Sequence, residues 1–480
     1  MPHLSLVPGV LNTGDVFRWL AGNSSHKLDI MTQMWQLIAR PDDPRSGDYG
    51  YSEYNMHNFG SNEGLSVYKS IQDATDRGIN IRYISNTYAA VFAGYRTVGE
   101  NTDEPSNLAF SRTNVESVTL LLKKWFGSGL VHAKVWISDT RDMYIGSSNN
   151  DWKSFTPVKE LGIYLVDCPS IATKLETYYN NLWTLGSLNY SVYTTEIQDP
   201  QWQISRTVPC WSHSIPFDAR CRSPLPPYVE VPHTFDYPML TDPSTVEISI
   251  QTPALNYSNL QPMTSYLSFA PPELLFEKYQ LDEQAWIDTI KSVNIGEMVR
   301  INTMDWLGQS KSSPETVYWS SSSSEVAKVV FSKHAKVKLL VSYMPDFNIN
   351  TDEYLKFLLY TNNLCSSSPE NNCSGKIEIK YYVIPGYTSS GPAISNGTST
   401  GNTYPSYSRY NLAKYAVSNR QAHIGTNNLI WDHFYTNAGI GFGTYNPAIV
   451  MQLQKIFDAD WDSPYVVPVE SMQDGHAFSS

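Results

Sequence analysis

The stretch from His132 to Trp152 reads HAKVWISDTRDMYIGSSNNDW. A histidine and a lysine two residues apart open it, Asp139 follows, and Gly146-Ser147-Ser148-Asn149 closes it. In an extended chain alternate side chains share a face, so His132 and Lys134 project together. A turn around Thr140 to Asp142 sends MYIG back alongside, and Gly146 permits a close approach. Ser147, Ser148 and Asn149 then add short donors beside the imidazole and the ammonium. A phosphodiester needs such a set. The imidazole attacks phosphorus, and the cation and amides hold the charge on the equatorial oxygens. A second histidine must protonate the leaving oxygen.

A second copy stands at Leu412 to Asp432, LAKYAVSNRQAHIGTNNLIWD. Lys414, Gly425 and Asn428 keep their places, while Leu412 replaces the histidine and Asn419 the aspartate. Earlier segments repeat too. DIMTQMW (Asp29 to Trp35) aligns with RINTMDW (Arg300 to Trp306), and each reads as a buried strand. Each precedes a helical stretch and another strand: SVYKSIQDATDRG then INIRYIS, and SSEVAKVVFSKHA then KVKLLVSY. Gly78 suits a helix end. Strands alternating with helices predict α/β sandwiches. We divide the chain into a first lobe over 1–205, an irregular Pro-rich crossover over 206–245 and a second lobe over 246–480. Ile449, Val450, Leu453, Ile456 and Phe457 recur at helical spacing, which predicts a final helix on the core.

With 480 residues the chain has room for two lobes. No apolar run is long enough to span a bilayer, and MPHLSLVPGV lacks the pattern of a signal peptide. The net charge of −12 excludes a broad nucleic-acid surface but allows a small basic cleft. Sequons at Asn23, Asn189, Asn256, Asn372 and Asn396 predict a secreted or lumenal glycoprotein. In that compartment short spacing predicts Cys210–Cys221 and Cys365–Cys373 disulfides, leaving Cys168 unpaired.

The motifs resemble those of the phospholipase D superfamily, the His-Lys-Asp phosphodiesterases. GSSNNDWKSFTPVKELGIY, IGTNN and FDADWDSPY are similar to its lumenal 5′-exonuclease branch, of phospholipase D3 and D4 type. The resemblance runs from about Leu6 to Tyr465. It implies a duplicated α/β/α fold whose lobes meet on a pseudo-twofold axis with the cleft between them. It also implies His132, Lys134 and Asp139 as catalytic residues, and Glu160, in VKELG, as the carboxylate orienting His132. Lys134, Ser147, Asn149, Lys414 and Asn428 would contact phosphate. In the second half Leu412, Asn419 and Thr436 depart from the family, the last replacing the Glu of FTETAG. Secreted worm phospholipase-D-like glycoproteins are a further resemblance.

These readings predict a secreted pseudoenzyme retaining a phosphate-binding cleft, without metal or cofactor. The alternative is a working nuclease or phospholipase with His132 as its single essential histidine, and with His423, His433 or water supplying the proton. An extracellular protein partner and a homodimer both remain open. His334-Ala-Lys336 mimics the motif but no Asp follows at the required spacing, so it is a decoy.

Overall fold

The computed structural model describes residues 10–44, 46–86, 104–110, 112–199, 202–212, 223–225, 245–246, 263–274, 280–344, 350–367, 373–387, 394–395, 398–399 and 404–471. Strand β1 (Lys27–Met31) is buried at four of its five positions, on both faces, because helices cover one side of its sheet and a second sheet the other. Strands β2 (Asn80–Ser85) and β3 (Val115–Thr119) pair parallel on one side of it. On the other side β4 (Val135–Ser138), β5 (Asp142–Gly146) and β6 (Gly162–Leu165) run antiparallel in sequence. The first sheet thus has the order β3-β2-β1-β4-β5-β6.

The larger sheet contains β7 (Met263–Ala270), β8 (Met298–Thr303), β9 (Lys336–Ser342), β10 (Lys376–Tyr382), β11 (Tyr415–Val417), β12 (Ala422–Gly425) and β13 (Gly439–Thr444). Its central order is β10-β9-β8-β11-β12-β13-β7. The first six strands of that order repeat the first sheet position for position, with parallel pairs among β10, β9 and β8 and antiparallel pairs beyond. Small details repeat as well. The hydroxyl of Thr32 bonds the Met34 carbonyl at 3.0 Å, and that of Thr303 bonds the Asp305 carbonyl at 2.9 Å. The α/β class read from the sequence is the class observed.

Helices flank both sheets: α1 (Thr13–Asn23), α2 (Ser61–Asp76) and α3 (Pro169–Ser187) in the first half, then α4 (Asp282–Lys291), α5 (Ser321–Lys333), α6 (Thr351–Ser366), α7 (Trp431–Tyr435) and α8 (Pro447–Trp461). Gly78 follows α2 at φ +84°, the left-handed turn that its sequence position requires. Asn446 caps α8, which buries Ile449, Val450, Leu453 and Phe457 as the spacing predicts. Two outer cores lie under the helices. A third and largest lies between the sheets, joining Met31, Val135, Ile137 and Ile145 to Leu267, Tyr415, Ile424, Ile440 and Phe442. Burial of this inner face at about 25 cal/mol per Å² is what clamps the sheets together.

Candidate active site

The chain crosses between the halves at two equivalent places. Val131 and Ala438 form a parallel bridge, with the His132 N–H on the Ala438 carbonyl at 2.9 Å and the Ala438 N–H on the Leu130 carbonyl at 3.0 Å. Lys159 and Asn411 form the other, with the Leu412 N–H on the Lys159 carbonyl at 2.8 Å and the Lys159 N–H on the Tyr410 carbonyl at 3.0 Å. Facing residues of a parallel pair put their side chains on the same side. One residue beyond each bridge, Glu160 therefore stands opposite Leu412 and Gly439 opposite His132.

The lysines are anchored alike. Lys134 Nζ donates to the His132 carbonyl at 2.6 Å, and Lys414 Nζ to the Leu412 carbonyl at 2.5 Å. Both are buried, and burial pushes both ammonium groups below the ordinary lysine range. The Lys414 charge lowers Lys134 further, so the two ammonium groups repel each other. Glu160 is the carboxylate on which both act. Burial raises it to about 7, against the opposing pull of Lys414, Ser147, Ser154 and Lys134. Asn149 and Asn428 are buried with their side-chain oxygens unpartnered, and the Asn428 Nδ2 donates to Met304 Sδ at 3.7 Å.

Two imidazoles meet beside the motifs that carry the two lysines. The His132 and His433 rings lie 4.3 Å apart, edge to face at 71°. His132 is buried and its Nδ1 has no hydrogen-bond partner. Burial, then Lys134, His433 and Lys414, hold its pKa well below the usual histidine value. His433 comes from α7 and is only partly buried. The backbone N–H of Asn428 donates to its Nδ1 at 3.1 Å.

Several expectations need correction. Glu160 does not support His132. Its hydrogen bond comes from the Ser147 hydroxyl, and the strand register sets it across from Leu412. Ser147 is correspondingly engaged, since its hydroxyl also accepts the Leu161 N–H at 2.9 Å. Asp139 lies at the far end of β4, where its carboxylate accepts the backbone N–H groups of Ser25, His26 and Lys27 at 2.7, 2.8 and 3.0 Å. It pins the entry into β1 and does not reach the cleft. Asn419 is its counterpart at the other rim, bonded to Gln454 at 3.1 Å, so its change from aspartate costs the cleft nothing. Thr436 bonds the Ser128 hydroxyl at 3.1 Å beside the His132 crossing. His132 and Lys134 precede β4 in an extended segment and are not within the strand itself.

The sequence reading missed Gln33, whose side-chain oxygen accepts from Lys134 Nζ at 2.9 Å. The signal was there: the aligned DIMTQMW and RINTMDW set Gln33 against Met304, so Lys414 has no such partner. Met304 instead joins Leu412, Val158 and Met344 in an apolar cluster. His423 lies outside the cleft. It is fully buried against Trp286, with Nε2 3.2 Å from Asp282 Oδ1. His334 ends α5 in the left-handed region at φ 52° and accepts the Ser374 N–H, as a decoy should.

Cys365 and Cys373 are disulfide-linked and Cys168 is a free, buried thiol. Cys210 is disulfide-bonded, and its expected partner Cys221 lies outside the described residues. Asn23 and Asn189 are exposed, whereas Asn256, Asn372 and Asn396 lie outside the described residues. Among the described residues no helix is long and apolar enough to cross a membrane, and no His, Cys, Asp or Glu cluster is arranged for a metal.

Comparison with known proteins agrees with this architecture. Residues 52–196 match the family model described as "PLD3/4, PLD-like domain". Phospholipase D Z of Dictyostelium discoideum is 25% identical over 413 residues, covering 86% of this chain and 78% of that protein. The 5'-3' exonuclease PLD4 of Homo sapiens is 23% identical over 487 residues, covering 99% of this chain and 78% of the relative. Probable phospholipase D F09G2.8 of Caenorhabditis elegans is 24% identical over 463 residues, covering 95% and 67%. The crystal structure of phosphatidylserine synthase from Haemophilus influenzae Rd KW20 superposes with a TM-score of 0.50 at 11% identity, covering 95% of this chain and 85% of that one, which shows a shared fold.

Proposed function

We propose that this chain, which carries a phospholipase-D-like domain, is a pseudoenzyme that has kept a phosphate-binding cleft and lost the two-histidine hydrolysis of phosphodiesters. In that reaction one imidazole forms a bond to phosphorus. The P–O bond to the leaving group breaks, and the departing oxygen takes a proton from a second imidazole. Each imidazole needs a carboxylate to fix its tautomer and to stabilise its cation. The observation that carries the proposal is the crossed pairing. The surviving carboxylate, Glu160, faces Leu412, which has no proton to give. The surviving imidazole, His132, faces Gly439 and has an unpartnered Nδ1. Neither side keeps a working pair, while Lys134 and Lys414 both remain, buried and anchored alike.

The repeated strand order supports a duplicated fold, with lobes at 1–205 and 246–480 joined by an irregular crossover. The exposed Asn23 and Asn189, with the Cys365–Cys373 disulfide, support a secreted or lumenal glycoprotein. A second reading, a working phosphodiesterase with His132 as its single essential histidine, is favoured by one fact: a second imidazole, that of His433, lies beside His132 with the rings 4.3 Å apart.

Purified protein incubated with a single-stranded oligodeoxynucleotide and with bis(p-nitrophenyl) phosphate, at pH 5.0 and 7.5, tests the proposal. We expect no release above background from the oligonucleotide. Release at a rate typical of enzymes, on the order of 1 s⁻¹ or more, abolished by His132→Ala, would replace the first reading with the second.

A further inference from the structure

His433 belongs to neither motif, and nothing in the duplicated pattern calls for an imidazole there. Its ring nevertheless lies edge to face with that of His132, and its side chain is only partly buried. What it does depends on which nitrogen carries its proton. The Asn428 N–H is a fixed backbone donor, and it points at Nδ1 from 3.1 Å. That nitrogen must offer its lone pair, so the proton of the neutral ring is on Nε2. Adding a second proton at Nδ1 would set two donors head to head. The surrounding charges oppose it as well. Burial, then the charges of Lys134, Lys414 and Lys311, hold its pKa well below the usual histidine value. Among the described residues Nε2 has no hydrogen-bond partner.

We propose that His433 is a recognition residue: a neutral imidazole whose Nε2–H donates to a nonbridging oxygen of a phosphate or sulfate group held by Lys134 and Lys414. The inference rests on the phosphate-cleft reading and deepens it. It assigns His433 the opposite of a substitute general acid, because an acid must hold the extra proton that Asn428 refuses. A diester monoanion and a free dianion share the chemistry that this donor set recognises, so both serve as probes.

The test uses the intact chain at pH 6.0, with sulfate and dimethyl phosphate as probes, neither of which titrates nearby. His433→Ala should weaken binding of both about tenfold or more, as loss of a hydrogen bond to a charged group does. His433→Gln, which keeps a neutral donor, should stay within about threefold of wild type. Nitrogen NMR of the labelled imidazole should show one neutral Nε2–H tautomer at pH 6.0. Lys414→Met separates the two levels of argument. If it abolishes binding while His433→Ala changes nothing, the cleft stands and the role of His433 falls. If wild type binds neither anion, both fall. An imidazolium at His433, or diester hydrolysis lost equally in the Ala and Gln variants, would overturn the assignment in favour of an acid.

Discussion

Replacing Leu412 by histidine restores an imidazole at the one place where its carboxylate already waits. Leu412 is 8% exposed and packs with Val158, Met304 and Met344. Exchanging it for a polar ring should cost about 2 kcal/mol of stability. The histidine at 412 would lie opposite Glu160, across the Lys159–Asn411 bridge, with Lys414 two residues on. A positioned general acid is worth about 10²–10⁴-fold. His132 would still lack an orienting carboxylate, so the lower end applies, roughly 100-fold over background. The assay is cleavage of a single-stranded oligodeoxynucleotide, whose alkoxide leaving group needs the proton. Bis(p-nitrophenyl) phosphate is the control, since nitrophenolate leaves without one and should gain only a few-fold. Adding Glu160→Gln should erase most of the gain, and adding Asn419→Asp should add nothing. Equal gains on both substrates, or a gain indifferent to Glu160→Gln, would refute the crossed pairing.

Anion affinity should fall as pH rises from about 6 to 9. Glu160, raised to about 7, is protonated below that value and leaves the cleft cationic; above it the carboxylate ionises, and Lys414, lowered to about 8, then loses its charge. Dimethyl phosphate titrations should show Glu160→Gln removing the lower phase, and a flat profile would contradict the assignment. Gly439→Ala should destabilise the fold, because a Cβ there would meet Asn427 Oδ1 at 2.1 Å and Asn427 is tied to Asp282 at 2.8 Å. Combining it with Asn427→Ser, the residue that Ser148 supplies in the first half, should recover most of the lost melting temperature. Asp139→Ala should lower stability by about 1 kcal/mol, measured by urea unfolding, without changing anion affinity. The Asp139 pKa is depressed in the folded state by backbone N–H donors, so its contribution is present above the unfolded carboxylate value and is lost as pH falls through the folded one. The thiol of Cys168, 1% exposed and with its pKa pushed up to about 11 by burial, should resist alkylation until the protein unfolds.

Much of the fold was legible because local pattern carries it. Period and capping residues foretold β1, α2, β2 and α8, and the repeated motifs foretold that Lys134 and Lys414 would hold equivalent places, each bonded to the carbonyl two residues before it. The errors have one physical source. Spacing along the chain tells which side chains share a strand face, but not which distant strand lies opposite. Glu160 follows the first motif closely in sequence, yet the register at Lys159–Asn411 gives it to the other half. Asp139 sits within the motif by spacing but is nearly the full length of a strand from His132. His433 stood in the sequence only as one of three possible proton sources, because no periodicity marks a single imidazole on a five-residue helix.

The core shared by the two sheets has a consequence for how short such a chain can be. Leu267, Tyr415, Ile424 and Phe442 belong to the half whose motif has eroded, and they form one side of the wall against which Met31, Val135 and Ile145 lie. Cutting that half away would leave the whole inner face of the intact half in water. A chain of this build therefore cannot be shortened to its first half without exposing that face. The half with the altered motif is held in place by the core it shares, whatever its cleft residues become.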